Sequence, residues 1–426
     1  MKLLHIADLH LDSPFTGLTK QLHSLQKHLI QSPYQAFERC VSIAINQAVD
    51  LMVIAGDIYD TEQQTVTAQH FFLKQLERLH IAKIPVVLCH GNHDYLRMEC
   101  QSVPYPDNVH LFKDQEVTAI DIPLADDQTV RCYGFSYTKR WVDARMIDSY
   151  PVNPHETTYT IGVLHGQESG DHYAPFDLES LLSKNYDYWA LGHIHQAQVL
   201  KEQPLIQYPG TIQGRHRKEL GDKGAFIVEL KPQKPAKSQF ISLAPIVWQE
   251  AHLECRSNWH ELDLVQALEG IQRNYQAEAE ASNQSQLVTV VLDHYEKLPA
   301  NLASQVESGE VLAALQADVT NTPFVALVSL QTVSQVAIEP FQYDASLKDS
   351  FDQASQALQT GDLYGRVMQP LFSNATLRTW LGDLTQDQEL KDSVIHDGQQ
   401  LVVQAVGFEA DDEDLTSGEE GTAHED

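Results

Sequence analysis

Five short clusters of acidic residues, histidines and one asparagine stand in order along the first 195 residues. Asp8-Leu9-His10 comes first, followed by Gly56-Asp57-Ile58-Tyr59-Asp60 and Gly91-Asn92-His93-Asp94. His165 in a VLHG stretch and Gly192-His193-Ile194-His195 complete the series. Carboxylates and imidazoles crowded together repel one another or lose hydration, at a cost of several kcal/mol. Divalent cations turn that cost into coordination. A set mixing carboxylate, amide oxygen and imidazole suits Mn, Fe or Zn rather than Ca or a thiolate-bound metal. Two such ions about 3.5–4 Å apart need a bridging group, and the carboxylate of Asp57 can supply one. Each cluster alone has a plainer reading. Asp-x-His can be a strand-end hydrogen bond, GDxxD an Asx-capped turn, and His165 a satisfied core histidine. The ordered set, each member following an apolar run, is what points to metal chemistry.

Elements must exist to deliver these residues. Apolar runs at 3–7, 51–55, 86–89, 160–164 and 188–191 immediately precede the five clusters and read as buried strands. Their C-terminal ends would converge on one sheet edge, where loops carry function. Alternation puts Asp8 and His10 on one side, and likewise His193 and His195. The glycines before Asp57, Asn92 and His193 permit tight turns. Amphipathic stretches at 36–48 and 66–79 read as helices, and further strands follow at 130–135 and 225–230. Because long helices are absent between the later strands, two packed sheets with α/β layering are expected rather than a doubly wound sheet.

KPQKPAKS at 231–238 reads as a linker. Beyond it, strand-like 246–253, helix-like 261–280, strand-like 286–294, helix-like 302–317 and strand-like 324–333 form a small β-α-β-α-β unit. Helical spacing of apolar residues returns at 346–359, 363–372 and 375–381. Residues 409–426 carry almost nothing apolar and are expected to be disordered. The expected partition is 1–235, 236–335, 336–408 and 409–426.

Charge limits the partners. With 29 Lys and Arg against 59 Asp and Glu, the 426-residue chain carries a formal net charge of −30. This excludes coating nucleic acid or membrane through bulk positive charge. A polyanionic substrate would need metals or a local basic patch. The densest basic run places Arg215, His216 and Arg217 together as candidate phosphate contacts, with a surface turn balancing local acid as the plain alternative. Lys139 and Arg140 beside Trp141 pose a similar choice between a stacking platform and a packed surface tryptophan. His5, His90 and His172 fit core, supporting or solvated roles. Five dispersed cysteines without a CxxC pair read as reduced thiols. With no signal-peptide apolar core and no membrane-length run, a cytoplasmic protein without membrane contact is expected.

The motif series D-x-H, GDxxD, GNH(D/E), H and GHxH resembles that of the calcineurin-like metallophosphoesterase superfamily. HIADLHLDSPF and YPGTIQGRHRKELGDKG resemble its DNA-repair exonuclease branch, the SbcD type, and within it the YhaO-like bacterial group. The resemblance implies an α/β/β/α sandwich core, a small α+β capping domain and a helical C-terminal region. It implies two divalent metal ions, Mn foremost, with Fe or Zn as alternatives. Asp8, His10 and His195 would hold the first, Asn92, His165 and His193 the second, and Asp57 would bridge them. His93 would face the phosphate without binding metal, oriented by a hydrogen bond with Asp60. The implied activity is phosphodiester hydrolysis by a two-metal-activated hydroxide in a DNA repair exonuclease subunit. The implied partners are DNA, a second copy in a homodimer, and a coiled-coil ATPase of the structural-maintenance-of-chromosomes type, engaged by helices between 346 and 381. Two alternatives stay open: a small-molecule nucleotide phosphodiesterase or phosphatase, and a non-catalytic metal-bound scaffold subunit.

Overall fold

Two six-stranded sheets deliver the five clusters. In the first, β1 (Lys2–Ile6), β2 (Leu51–Ala55), β3 (Val86–Cys89) and β4 (Val109–Leu111) run parallel. The second contains β5 (Thr118–Pro123), β6 (Thr129–Gly134), β7 (Tyr159–His165), β8 (Tyr188–Gly192), β9 (Gln198–Glu202) and β10 (Leu205–Tyr208), in the order β5-β6-β7-β8-β10-β9. Its four central strands are parallel, and its two edge strands pair antiparallel. Two later strands, β11 (Gly224–Lys231) and β12 (Lys234–Ser242), return to the first sheet, giving the order β12-β11-β1-β2-β3-β4. The computed structural model describes residues 1–13, 15, 23–60, 64–96, 104–125, 127–170, 172–315, 322–333, 345–360, 363–372 and scattered positions between 391 and 402.

Strand alternation sorts the core into layers. Leu3, Leu51, Val53 and Val87 meet Val130, Ile161, Val163 and Ala190 between the two sheets. The alternate residues Leu4, Ile6, Met52, Ile54 and Leu88 face the other way, onto Phe37, Val41, Phe72 and Leu76. Those belong to α1 (His23–Asn46) and α2 (Val66–Ile81). On the far face of the second sheet, Leu164, Trp189, Leu191 and Ile206 pack with Tyr150, Phe176 and Leu181, the last from α3 (Leu178–Ser183). The result is an α/β/β/α sandwich, as the sequence leads one to expect.

Two local differences from that expectation have clear causes. The first helix starts at His23 and runs through Pro33. Proline lacks the N–H that would bond the Leu29 carbonyl, and the Ser32 hydroxyl donates to that carbonyl instead, at 2.7 Å. The linker reading of 231–238 is overturned: most of that stretch is β12, paired antiparallel with β11 from Gly224↔Ser242 to Lys231↔Lys234. Lysine and proline suit a linker, but they also blunt an exposed edge strand, and β12 lies at the sheet edge. A boundary at 235/236 therefore falls inside this hairpin.

Beyond it come β13 (Ile246–Glu254), α4 (Glu261–Ser282), β14 (Ser285–Asp293), α5 (Ala300–Glu307), α6 (Glu310–Leu315) and β15 (Val325–Val333). The three strands form one sheet in chain order. The single helix expected over 302–317 is two, because Gly309 adopts a positive φ of 77° between them. Then follow α7 (Ala345–Thr360) and α8 (Leu363–Phe372). The expectations for 375–381, for 409–426 and for Cys100 lie outside the described residues; the other four cysteines are buried. The chain divides into two compact units. One comprises 1–253, 259–291 and 299–331, and the other 254–258, 292–298 and 332–426. Among the described residues no helix is long and apolar enough to cross a membrane.

Candidate metal centre

The five clusters occupy the C-terminal ends of β1, β2, β3, β7 and β8. Asp8, His10, Asp57 and His193 all adopt positive φ, at 52°, 44°, 51° and 101°. Non-glycine residues rarely do so, and such strain gathers at functional sites. Here backbone bonds impose it. The Asp8 and His10 N–H groups donate to the carbonyls of Gly56 and Asp57, each at 3.1 Å, lacing the loop after β1 to the loop after β2. Asp94 laces the loops after β2 and β3, accepting from the Gly91 N–H at 2.8 Å and the Ile58 N–H at 2.7 Å. Gly91 is required where it stands: any Cβ there would collide with Asp57 Oδ1 and the His165 ring.

The side chains so delivered converge. Ligand atoms of Asp8, His10 and His195 lie within 4.8 Å of one another, as do those of Asp8, Asp57 and His165. His10 Nε2 and His195 Nε2 face each other at 3.1 Å. Their Nδ1 atoms are already engaged by carboxylates, His10 by Asp60 at 3.0 Å and His195 by Glu219 at 2.6 Å. Such partners fix the proton on Nδ1 and leave the Nε2 lone pair outward. His165 repeats the pattern. Its Nδ1–H donates to the Ala55 carbonyl at 2.9 Å, while Nε2 meets Asn92 Oδ1 at 3.0 Å and Asp57 Oδ2 at 3.4 Å. Asn92 Oδ1 also lies 3.1 Å from His193 Nδ1. Two imidazole nitrogens facing each other as those of His10 and His195 do repel unless a positive charge sits between them. The donor set, of imidazole nitrogens, carboxylates and one amide oxygen, fits divalent cations.

Electrostatics carries the same demand. Burial pushes the Asp8 carboxyl up to about 6. Burial acts to raise Asp57 too, but the neighbouring His165, His10 and His93 outweigh it and hold that carboxyl well below the usual range. For His165 the order reverses: burial acts to lower it, and Asp57 and Asp8 raise it to about 9. Burial takes His10 down to about 4 and His193 down to about 3. The pocket thus keeps His10 and His193 neutral, as metal ligation requires.

The other expected residues lie around this set. His93 Nδ1 bonds the Asp60 backbone carbonyl at 2.8 Å, not its carboxylate. The Asp60 carboxylate serves His10 and the Arg215 guanidinium. Arg215, expected to grip phosphate, is turned inward at 15% exposure, between Asp60 and Glu219. His216 and Arg217 are exposed beside it. Sequence reasoning missed Glu219, whose carboxyl is drawn down to about 2: burial opposes this, but the hydrogen bond and charge of His195, with Arg215, prevail. No apolar strand precedes Glu219; its only signal is an acid within a basic run. Asp94 is visible in GNHD, but nothing in the motif says that it laces two loops.

The chain belongs to the calcineurin-like phosphoesterase family, which matches residues 1–197. It is similar to the uncharacterized metallophosphoesterase YhaO of Bacillus subtilis, at 34% identity over 274 residues, covering 63% of this chain and 67% of the relative. It is also similar to the SbcD component of the nuclease SbcCD of Staphylococcus epidermidis, at 24% identity, covering 58% of this chain and 70% of that one. The DNA double-strand break repair protein Mre11 of Thermoplasma acidophilum is 26% identical over 47% of this chain and 56% of its own.

Proposed function

We propose that this chain is a two-metal phosphodiesterase acting on DNA, the nuclease subunit of a repair exonuclease. One observation carries the reading: the potential ligand atoms of His165, Asn92, Asp57, His10 and His195 meet at separations of 3.0 to 3.9 Å. Asp8, His10 and His195 would hold one divalent cation, Asn92, His165 and His193 the other, with Asp57 shared and Mn the foremost ion. Cations bound there supply neutralisation of the phosphodiester charge and a lowered pKa for water. The protein supplies placement and proton transfer. With Nδ1–H bonded to the Asp60 carbonyl, His93 Nε2 is the atom available to exchange a proton with the leaving oxygen.

Nuclease relatives support DNA over a small ester as substrate. A coiled-coil ATPase partner, a homodimer and a cytoplasmic setting follow from the branch the sequence resembles. The α7–α8 region supports the partner with an apolar cleft of about 500 Å³ lined by Phe351, Leu358, Tyr364, Val367 and Met368. The three-stranded unit around β13–β15 is assigned as the capping domain.

The test uses purified full-length chain with Mn²⁺ on single-stranded DNA, blunt duplex and bis-para-nitrophenyl phosphate. Metal-dependent cleavage of DNA is expected. His93→Ala should cost roughly 10²–10⁴-fold in turnover with metal content unchanged. Hydrolysis of small esters alone would favour the nucleotide phosphodiesterase alternative. Absence of any metal-dependent hydrolysis would favour the scaffold.

A further inference from the structure

An aromatic ring open to solvent lies on a segment tied directly to the metal centre. Trp141 is 54% exposed. The Arg140 guanidinium carbon sits 5.8 Å from its ring centroid, and the His172 ring lies 6.2 Å away on another loop. Single exposed apolar residues are ordinary, but this one is mounted rigidly. The next residue, Val142, is fully buried and pairs with the second loop: its N–H donates to the His172 carbonyl at 2.9 Å, and its carbonyl accepts from the Ala174 N–H at 2.7 Å. Tyr173, between those two partners, lays its ring against the candidate ligand His193, with centroids 4.4 Å apart and planes 32° apart. His172 is steadied in turn by Asp143 at 2.9 Å.

We propose that Trp141, with Arg140 at its side, is a stacking platform for an unpaired nucleobase of the strand whose phosphate occupies the metal centre. The inference rests on the nuclease reading above and specifies how its substrate is held. A net charge of −30 leaves the protein little long-range attraction for a polyanion. Stacking needs no net charge, and any base offers a π-face. Arg140 adds one cation where it can meet both the indole and a phosphate. The Val142↔Tyr173 bridge and the Tyr173–His193 ring contact are what join this segment to the metal centre.

The test compares wild type, Trp141→Ala and Trp141→Phe, as full-length protein with Mn²⁺, on a single-stranded octanucleotide and on an octamer of abasic deoxyribose phosphate. Trp141→Ala should raise KM for the octanucleotide by roughly tenfold or more, leave kcat near wild type, and leave the abasic octamer unaffected. Trp141→Phe should retain most of the affinity. In EDTA, octanucleotide should quench tryptophan fluorescence in wild type and much less in Trp141→Ala. Equal KM for all three proteins on the octanucleotide, or equal losses on both octamers, would overturn the platform while leaving the nuclease reading intact. If no phosphodiester is hydrolysed at all, the nuclease reading fails instead, and the quenching comparison alone decides whether Trp141 binds a base.

Discussion

The inner and outer halves of the metal centre are held by different means. Asp8, Asp57, Asn92 and His165 are at most 5% exposed. Backbone groups at strand ends aim three of them: the His193 N–H on Asp8, the His93 N–H on Asp57 and the Ala55 carbonyl on His165. His195 and Asp60 lie nearer solvent, and side chains hold them, Glu219 for the first and Arg215 for the second. A half aimed by the backbone forms whenever the sheet forms. A half aimed by ion pairs can be detuned one side chain at a time, with the fold left standing.

The sharpest way to break this contrast is at Asp57, where the inner half meets both proposed ions. Asp57→Asn keeps the shape but removes the charge. Elemental analysis should find the bound metal falling from two equivalents to none, with turnover lost on every substrate. Two retained equivalents at unchanged affinity would show that Asp57 does not bridge.

Glu219 probes the outer half and should give a smaller effect. Glu219→Ala should weaken the ion held through His195 by roughly 10–100-fold, leaving the other ion and the urea midpoint near wild type. Metal titration followed by activity and by metal content separates the two. Equal weakening of both ions would mean that the halves are not independent.

Glu219 also marks where the sequence stops being readable. Asp8, Asp57, Asn92, His165 and His193 could be picked out because each lies just past the end of an apolar run, and buried strands place their ends together. The two sheets follow from the same runs. Glu219 and Arg215 follow no strand. Their loop is set by packing from a distant element: the Trp248 indole N–H of β13 donates to the Gly214 carbonyl at 3.0 Å, and Gln213 bonds Ile246 at 2.7 Å. Nothing local to 213–219 announces those bonds. The β11–β12 hairpin hid for another reason, since prolines and lysines are as much at home on an edge strand as in a linker. Asp60 was found, but whether its carbonyl or its carboxylate meets His93 is a matter of geometry that residue type does not encode.

The smallest expected effect lies beneath the inner half. His5, on β1, bonds the Tyr188 hydroxyl at 2.6 Å and the Leu191 carbonyl at 3.1 Å, and burial pushes it down to about 3. The folded state refuses the proton that an unfolded chain accepts near 6.5. Its contribution to stability is therefore intact above pH 6.5 and drains away as pH falls from there toward 3. Each pH unit within that window costs at most about 1.4 kcal/mol from this residue. Urea unfolding of His5→Phe should show a shallower acid limb than wild type. Parallel limbs would show that His5 is not what sets the slope.

The place of β1 in its sheet has a consequence for how the protein is made. This strand, which presents Asp8 and His10, is flanked by β2 on one side and by β11 on the other. The second neighbour spans Gly224–Lys231 and leaves the ribosome long after the first. At about 5–20 residues per second, the nascent chain carries β1 with one open edge for on the order of ten seconds or more. Open edges recruit other strands, so this interval is when the chain is most exposed to mispairing and to chaperones. His195, which completes the first proposed ion site, also emerges long after β1. It nevertheless precedes β11, so every proposed ligand has been made before this sheet can close around β1.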